Sequence, residues 1–407
     1  MYYPRHLEAV LREAVTQFPA VAVMGARQVG KSTLLQQLFS TEYTYLTFDD
    51  ILLRTQAKAD PALFLKNFPG KLILDEIQYV PELLPEIKIR IDRDKQAGQF
   101  LLTGSQQFTL IKGLQESLAG RVLLLHLWPM TLEEKCNRGQ SRPWLLELLE
   151  TGNPFKQTPQ PLEVSPIEAI HQGGLPAILS ISKKFRYSWF ESYIQTYLER
   201  DMASILPGSD ITGLSRFLRL LAPLSCSEIN KNQLGRELSI SPPTSNRWLD
   251  RLKATFLWME TPPYLSNYIK RVSKHPKGNL FDTGVTCSLL AIPDGESLSL
   301  HPLVGMLFEA AMRIEIQAVL DAFLIPATVY HWRTHPGAEV DIVLEYKNKL
   351  YAFECKWKSE IQEHDLTGLL QFQKLFKDKV AFLGVLTPTG HPLRIREDIY
   401  QIPWVAK

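Results

Sequence analysis

The chain has 407 residues, of which 45% are hydrophobic and 22% are charged, and its formal net charge is +2 at pH 7. This length allows about two to four domains, each with its own core, and the composition is ordinary for a globular protein. The near balance of charges excludes a global electrostatic commitment to nucleic acid, so any basic surface must be local.

Cysteine usage and hydropathy indicate where such a chain works. The cysteines are far apart and form no C-x-x-C pair, which argues against a zinc knuckle or a disulfide framework and favours a reducing cytosol. No apolar run approaches the roughly 18 residues that a membrane span needs, and the start, MYYPRHLEAVLREAV, is amphipathic and unlike a signal peptide. We therefore expect a cytoplasmic protein with no membrane partner.

The N-terminal part alternates helices with strands. A helix at RHLEAVLREAVTQF precedes the apolar strand AVAVMG, a loop bounded by glycines and a second helix, KSTLLQQLF. Further strands are predicted at YTYLTF, KLILDE, QFLLTGS and RVLLLHL. This order indicates an α/β fold with a parallel sheet covered by helices on both faces. We assign it to residues 1–135.

The middle of the chain has a different character. A stretch rich in Pro, Gly and Gln and a helical segment occupy residues 136–210, which we interpret as a linker and helices. In NQLGRELSISPPTSNRWLDRLKATFLWME, a helix, a short turn, a second helix and a strand follow one another. That order is typical of a winged helix-turn-helix. We place a winged-helix-like domain at residues 211–295, with Arg247, Arg251 and Lys253 on the second helix.

The remaining part, residues 296–407, is predicted to be a separate α/β domain. It begins with the long apolar helix PLVGMLFEAAMRIEIQAVL and continues with the strands TVYHWR, AEVDIVLE and LYAFECKW. A helix at LLQFQKLF and a strand at VAFLGVL complete the pattern.

One loop in the N-terminal part has the spacing of a phosphate-binding site. GARQVGKS, from Gly25 to Ser32, fits G-x-x-x-x-G-K-[ST] and lies between an apolar strand and an amphipathic helix. The glycines let successive backbone N–H groups point at phosphate oxygens, and the helix start adds the positive end of its dipole. Lys31 is expected to reach the β- and γ-phosphates of ATP, and the Ser32 hydroxyl to bind Mg²⁺.

Two carboxylates complete the chemistry of this site. The apolar strand in LILDEI leads into Asp75 and Glu76. Asp75 lies 44 residues after Lys31. Asp75 is expected to hold Mg²⁺ through water, and Glu76 to act as the general base for the attacking water. A small-molecule kinase is disfavoured, because it rarely needs that second carboxylate and the chain has no lid-like arginine cluster.

Polar residues near two other strands are weaker candidates. Thr103 and Ser105 lie at the tip of LLTGS, where a hydroxyl could sense the γ-phosphate; we prefer Ser105, although a simple strand-end turn explains it equally well. Arg121, after a glycine at a strand start, could reach the nucleotide of a neighbouring subunit as an arginine finger. That role requires at least a homodimer; the alternative is an ordinary surface arginine.

The C-terminal strands bring acidic residues together. Suppose that AEVDIVLE and LYAFECKW form a hairpin with a two-residue turn at Lys347-Asn348. The residue numbers of directly opposite residues then add up to 695. This register pairs Asp341 with Glu354 and Glu339 with Lys356. Directly opposed carboxylates repel each other unless a cation neutralises them, and oxygen ligands suit Mg²⁺. Lys356 could then orient or activate a water.

Two readings of this hairpin remain open. Glu309, a carboxylate inside the apolar helix, needs a partner and favours a metal site. The alternative is a solvated edge hairpin in which Glu339 and Lys356 form a plain cross-strand ion pair. A register slip of one residue would change every pairing.

With these residues in hand, the chain resembles a widespread prokaryotic family of AAA-like ATPases. In that family a P-loop domain is joined to a C-terminal domain of unknown function that looks like the PD-(D/E)XK restriction-endonuclease fold. The resemblance covers nearly the whole chain. It rests on GARQVGKSTLL, LILDEIQ, LLTGSQ, SLAGRV, GGLPAIL, YIQTYLERD, PPYLSNYIKR, KGNLFDTGV, AEVDIVLE and FECKW.

The resemblance implies roles for particular residues. It makes Asp75 and Glu76 the Walker B pair and strengthens Arg121 as a finger. The expected nucleotide-binding residues are Gly25, Ala26, Arg27, Gln28, Val29, Gly30, Lys31, Ser32 and Thr33. The expected nuclease-like site consists of Glu309, Asp341 and Glu354 as metal ligands, with Lys356. The motifs YLERD and FDTGV have no chemistry that we can derive, and the chain reads GGLPAIL where many members read GG-F-P-E.

The leading hypothesis is an ATP-hydrolysing, Mg²⁺-dependent protein that acts on or with DNA through the winged-helix element and the nuclease-like domain. The alternative is an ATP-switched regulatory or scaffold protein whose C-terminal domain binds but does not cleave. The retained Asp341, Glu354 and Lys356 favour the first hypothesis. The few basic residues of the second middle helix and the near-zero net charge favour the alternative.

Overall fold

The computed structural model describes residues 2–105, 118–155, 162–197, 211–265, 275–334 and 337–406. It divides into two compact units. The N-terminal unit comprises Met1–Gln140, Leu252–Leu257 and Asp321–Leu324, and the C-terminal unit comprises Ser141–Arg251, Trp258–Leu320 and Ile325–Lys407. Among the described residues, no helix is both long enough and apolar enough to cross a membrane.

The N-terminal unit contains a five-stranded parallel sheet, as the sequence predicts. Its strands are β1 (Ala20–Met24), β2 (Thr44–Thr47), β3 (Leu72–Asp75), β4 (Phe100–Gly104) and β5 (Val122–His126). The order across the sheet is β2-β3-β4-β1-β5. β4 therefore lies between the strand that precedes the glycine loop and the strand that ends in Asp75, and the carboxyl ends of all three meet at one edge.

Helices cover this sheet. They are α1 (Glu8–Gln17), α2 (Lys31–Phe39), α3 (Ile51–Ala59), α4 (Pro61–Asn67), α5 (Leu83–Asp94) and α6 (Leu132–Lys135). Local chemistry determines where some of them begin: the side chains of Asp50 and Asp60 accept N–H groups at the starts of α3 and α4, and Pro61 occupies the first turn of α4. Apolar side chains of the strands, α4 and α5 form a continuous buried core beneath the site.

The first half of the C-terminal unit is mainly helical. Its helices are α7 (Trp144–Thr151), α8 (Pro166–Gln172), α9 (Lys183–Tyr197), α10 (Ile211–Leu221), α11 (Lys231–Glu237), α12 (Pro242–Ala254), α13 (Thr283–Leu289) and α14 (Gly295–Ser299). The strands β6 (Ser227–Glu228), β7 (Trp258–Thr261) and β8 (Lys277–Leu280) form a small antiparallel sheet in the order β6-β8-β7.

The FDTGV motif has a structural role in this half. Asp282 is buried, and its carboxylate accepts the N–H of Val285 at 3.0 Å, which caps α13, and the N–H of Gly174 at 2.6 Å. A Cβ on Gly173 would lie 2.3 Å from the same carboxylate. The motif therefore fastens the two-glycine turn of GGLPAIL to the start of α13. Most of the other unexplained motif, YLERD, lies outside the described residues.

The second half contains a six-stranded mixed sheet. It is built from α15 (Val304–Ala322), β9 (Thr328–Arg333), β10 (Glu339–Tyr346), β11 (Lys349–Cys355), α16 (Thr367–Phe376), β12 (Val380–Gly390), β13 (Leu393–Arg394) and β14 (Ile399–Ala406). The sheet order is β13-β14-β12-β11-β10-β9. β9, β10 and β11 are antiparallel neighbours, and the crossover through α16 makes β12 parallel to β11. Apolar residues of α16 pack on the central strands.

The predicted hairpin register is confirmed over most of its length. β10 and β11 pair from Ile342–Phe353 to Tyr346–Lys349, so that opposite residues sum to 695. The connecting residues Lys347 and Asn348 have φ angles of +48° and +62°, as a tight two-residue hairpin turn requires. The solvated-edge alternative is wrong, because β9 pairs with β10 on one side and β12 pairs with β11 on the other.

Candidate nucleotide site and acidic cluster

The glycine loop between β1 and α2 has the backbone that its sequence requires. Gly30 has a φ of +100° and directly precedes the first residue of α2. A Cβ on Gly25 would lie 2.2 Å from the carbonyl oxygen of Leu127, so a larger residue would push the loop away. Sequence reasoning missed Arg5, which lies far from the loop in sequence; its buried guanidinium donates to the carbonyls of Val29 at 2.8 Å and Trp128 at 2.7 Å.

Lys31 turns back toward this loop. Its Nζ donates to the carbonyl oxygens of Gly25 at 3.0 Å and Ala26 at 2.8 Å, and the residue is buried. Contacts with these two carbonyl oxygens therefore hold the ammonium next to the glycine loop.

Asp75 is the centre of a network of hydroxyl groups. It accepts hydrogen bonds from Ser32 at 2.6 Å, Thr103 at 2.6 Å and Tyr45 at 2.7 Å. Ser32 on α2 and Asp75 at the end of β3, each predicted separately as a Mg²⁺ ligand, are thus hydrogen-bonded to each other. Tyr45 was not anticipated; burial and its hydrogen bond to Asp75 raise the pKa of the phenol, so that it remains a donor. The oxygen donors of Ser32 and Asp75 fit the preference of Mg²⁺.

Glu76, the residue after Asp75, belongs to a second group of hydrogen-bonded polar residues. Its φ is +57°, a left-handed conformation that is uncommon for a residue with a side chain. Its backbone N–H donates to the Thr103 hydroxyl at 3.0 Å, and its carboxylate accepts from Ser105 at 3.2 Å and from Gln78. Ser105 therefore lies beside the expected base. Thr103 contacts the backbone of Glu76 and the carboxylate of Asp75 at the end of β3.

Arg121 lies away from this group on its own chain. It precedes β5, whose first residue aligns with Ala20 at the start of β1, whereas the glycine loop follows the end of β1 at Met24. Four residues of strand separate the two edges by about 13 Å. The guanidinium forms a two-pronged ion pair with Asp92, at 2.6 and 3.0 Å.

The C-terminal unit contains a second polar group, which we call the acidic cluster: Glu309 on α15, Glu339 and Asp341 on β10, and Glu354 on β11. A lysine from another element lies among these carboxylates. Nζ of Lys277, on β8, is 2.8 Å from Glu309, 2.5 Å from Glu339 and 3.5 Å from Asp341. Only 8% of the Lys277 side chain is exposed. Lys277 is not among the residues that the sequence predicts for this site.

The strands separate where the cluster begins. Asp341 does not continue the ladder; its carboxylate accepts the backbone N–H of Cys355 at 2.8 Å. Lys356 donates to Glu354 at 2.7 Å, and Glu339 pairs with Lys277, so these contacts replace the expected Glu339–Lys356 pair. The hairpin register predicted that Lys356 would be the positive partner of Glu339. Lys277, which lies outside the hairpin, is that partner instead.

Burial and like charges perturb the acidic cluster. Burial, with repulsion from Asp341, raises the pKa of Glu309 to about 8 despite the nearby Lys277. Burial and the same aspartate raise the pKa of Glu354 well above its usual range. Burial alone would lower the pKa of Lys277, but the surrounding carboxylates outweigh it and raise that pKa. The ammonium is thus fully charged.

The cluster does not fit a divalent ion in this arrangement. Across the part of the chain that the structure describes, no group of three or more His, Cys, Asp or Glu side chains is positioned to hold a metal. Glu309 and Asp341, two of the three predicted ligands, converge on the Lys277 ammonium instead.

Three segments match known families. Residues 17–136 match an AAA domain, residues 165–296 a domain of unknown function (DUF8612), and residues 304–406 another domain of unknown function (DUF4143). The AAA match spans the glycine loop, Asp75 and Glu76, and it agrees with the parallel sheet. The N-terminal unit therefore has the fold of an AAA-type P-loop ATPase domain with a nucleotide site.

Two relatives match nearly the whole length of the chain. Two uncharacterised proteins, one from Mycobacterium bovis and one from Mycobacterium tuberculosis, are each 29% identical over 403 residues, covering 98% of this chain and 83% of the relative. A solved structure, the Walker-type ATPase of Pyrococcus abyssi, has a TM-score of 0.43 and 16% identity, and covers 71% of this chain and 99% of its own.

Proposed function

We propose that the protein binds and hydrolyses ATP at the glycine loop. The observation that carries this proposal is the joint placement of Ser32, Asp75 and Glu76 at the meeting carboxyl ends of β1, β3 and β4. A protein that only bound nucleotide would need the loop and Asp75 but not the second carboxylate, which Ser105 and Gln78 hold in place.

The residues then divide the work of hydrolysis. Lys31 exchanges the carbonyl oxygens of Gly25 and Ala26 for phosphate oxygens, which bind an ammonium more strongly because they are charged. Glu76 accepts the proton of the attacking water, and Ser105 fixes the direction of its carboxylate. Ser32 and Asp75 would hold Mg²⁺, which supplies positive charge against the phosphates.

Two substitutions test this proposal. Lys31→Ala is expected to abolish ATP binding, because it removes the ammonium that contacts the phosphates. Glu76→Gln is expected to bind ATP and retain it without hydrolysis, because the amide cannot take up a proton. Binding is measured with a fluorescent ATP analogue and hydrolysis by phosphate release. Hydrolysis by Glu76→Gln at the parental rate would show that Glu76 is not the base.

For the C-terminal unit we propose a nuclease-like fold that binds a partner without cleaving it. The chain order helix, three antiparallel strands, crossover helix and parallel strand supports the nuclease-like fold. The α10-β6-α11-α12-β7-β8 order, with both later strands in one small sheet, supports a winged-helix element. Lys277 among the carboxylates favours binding over cleavage.

DNA is the partner that we propose for this unit. Duplex and single-stranded DNA are incubated with the protein and Mg²⁺ or Mn²⁺, with and without ATP, and binding is followed by fluorescence anisotropy. We expect binding without cleavage in the parental protein. Cleavage that disappears in Asp341→Ala, Glu354→Ala and Lys356→Ala would instead establish an active nuclease, and an absence of binding would exclude DNA as the partner.

A further inference from the structure

The acidic cluster brings four carboxyl groups into a mostly buried environment, where their negative charges are unfavourable without a nearby positive charge. Four carboxylates from three elements face one another, and Glu354 is only 7% exposed. Carboxylates brought together out of water repel each other and lose hydration, so their charged forms need a nearby cation. Lys277 supplies it from β8, on the other half of the unit.

The ammonium uses only part of the available oxygen ligands. Lys277 contacts Glu309, Glu339 and Asp341, while Lys356 takes Oε1 of Glu354. Oε2 of Glu354 is buried and has no hydrogen-bond partner among the residues that the structure describes. In the ionised form of Glu354 a buried oxygen with no donor is costly, and it is a ligand that a bound cation would use.

The chemistry of these ligands defines the cation that would replace the lysine. All the acceptors are carboxylate oxygens, which are hard ligands that suit Mg²⁺ and Mn²⁺ and not the softer, nitrogen- or sulfur-preferring metals. An ammonium can satisfy such oxygens at 2.8 Å, whereas a divalent ion requires them at about 2.1 Å. The oxygens of Glu309 and Asp341 lie 2.8 and 3.5 Å from the Lys277 Nζ, so they would have to move inward to bind a divalent ion in its place.

We propose that Lys277 is a built-in cation that fills a latent divalent-cation site formed by Glu309, Asp341 and Glu354. While Lys277 is in place, the C-terminal unit binds no divalent ion there; removing the ammonium opens the site to Mn²⁺ or Mg²⁺. This inference deepens the proposed non-cleaving role of the unit and rests on it. Its measurements involve neither DNA nor ATP, so the two proposals can fail separately.

Mn²⁺ binding to the nucleotide-free protein tests the proposal. Free and bound Mn²⁺ are measured by electron paramagnetic resonance for the parental protein, Lys277→Met and Lys277→Met/Asp341→Asn. We expect Lys277→Met to bind one more Mn²⁺ per chain than the parental protein, and the double variant to lose it. The matched control is Lys356→Met, which removes a neighbouring ammonium that is 29% exposed and is expected to gain no Mn²⁺.

Thermal unfolding covers the case in which Lys277→Met is unstable. We expect its melting temperature to be below that of the parental protein and to rise when millimolar Mn²⁺ is added. In the parental protein, any change of melting temperature on adding Mn²⁺ should be the same with and without the Asp341→Asn substitution. The proposal is overturned if the parental protein binds an Mn²⁺ that Asp341→Asn removes. It is equally overturned if Mn²⁺ neither binds to Lys277→Met nor restores its folding.

Discussion

Asp75 and its neighbours show how single side chains acquire their roles from the strands that present them. Ser32 and Thr103 reach one oxygen of Asp75, and Tyr45 reaches the other, so the carboxylate cannot rotate. Glu76 is fixed differently, by its left-handed backbone and by the hydroxyl of Ser105. The two adjacent carboxylates are thus held by different partners, as the separate roles that we propose for Asp75 at a metal and Glu76 at a water require.

The hydroxyl of Ser105 is expected to matter for the rate and not for binding. In Ser105→Ala the Glu76 carboxylate loses one of its hydrogen bonds, and we expect kcat to fall about 10-fold, which corresponds to about 1.4 kcal/mol. Nucleotide affinity should be unchanged. Ser105→Thr keeps the hydroxyl and serves as the control. Steady-state phosphate release at saturating ATP is the measurement; an unchanged kcat in Ser105→Ala would mean that Ser105 is only a turn residue.

Much of the nucleotide site could be predicted from the sequence, because its signals are local. The glycine spacing determines the loop, and the end of an apolar strand determines where Asp75 and Glu76 emerge. Tyr45 and Arg5 could not be predicted, since their contacts depend on how the strands are ordered. Lys277 could not be predicted either: it lies 64 residues before Asp341, and no periodicity links two elements so far apart.

At the level of helices and strands, the hairpin of β10 and β11 is determined by residues close in sequence, whereas the start of α13 also depends on a residue far away in sequence. The hairpin register follows from strand period and turn chemistry, which act between neighbours in sequence. The cap of α13 follows from Asp282, whose second oxygen also binds the Gly174 N–H, 108 residues away. The first could be worked out in advance, and the second needed the tertiary structure.

Asp282→Ala is expected to lower the free energy of unfolding by about 2–4 kcal/mol, because it removes a helix cap and leaves the buried N–H of Gly174 unpaired. Asp294→Ala is the matched control: it removes the exposed cap of α14, in which Asp294 accepts the N–H of Ser297, and should cost about 1 kcal/mol. Hydrogen exchange in α13 and α14 measures both effects. Equal losses in the two variants would contradict the double role of Asp282.

His331 on β9 predicts a pH dependence of this unit. It is 1% exposed, and burial, together with repulsion from Lys277, lowers its pKa to about 4. Since the unfolded pKa is about 6.5, this contribution to stability is complete above pH 6.5 and is lost as the pH falls toward 4. Between pH 7 and 5 the loss should be about 2 kcal/mol, because one pKa unit is about 1.4 kcal/mol.

Hydrogen exchange of β9 and β10 at pH 7 and pH 5 checks this dependence. His331→Gln should flatten the response, because the glutamine side chain does not titrate in this range. His391→Gln replaces an exposed histidine and should leave the response unchanged. An undiminished response in His331→Gln would assign the pH dependence to other groups.

At the scale of the whole molecule, Arg121 raises the question of assembly. Its position at the far edge of the sheet and its ion pair with Asp92 leave it unable to serve its own nucleotide site. An exposed ion pair of this kind contributes little to stability, so breaking it costs little. Arg121 can therefore serve a neighbouring copy if the protein assembles with its nucleotide sites at the interfaces, as we predict.

Mixing two inactive variants tests this assembly. Arg121→Ala has an intact nucleotide site and should lose at least about 100-fold in kcat if the finger acts from a neighbour. Lys31→Ala has a defective site and an intact finger, so equimolar mixing should recover part of the activity. Arg93→Ala, which breaks a neighbouring exposed pair with Asp94, is the control. If mixing restores nothing and Asp92→Ala matches Arg121→Ala, the arginine is a local ion-pair partner only.

The position of Lys277 also bears on how this protein can be taken apart. The two matched regions of unknown function meet between residues 296 and 304, yet the ammonium lies in the first region and three of the carboxylates that it neutralises lie in the second. A fragment that begins at residue 304 would retain every acid and lose the base. Boundaries drawn from sequence families therefore divide what folds as one body, and expression of the second region alone should require either added divalent cation or a companion fragment carrying β8.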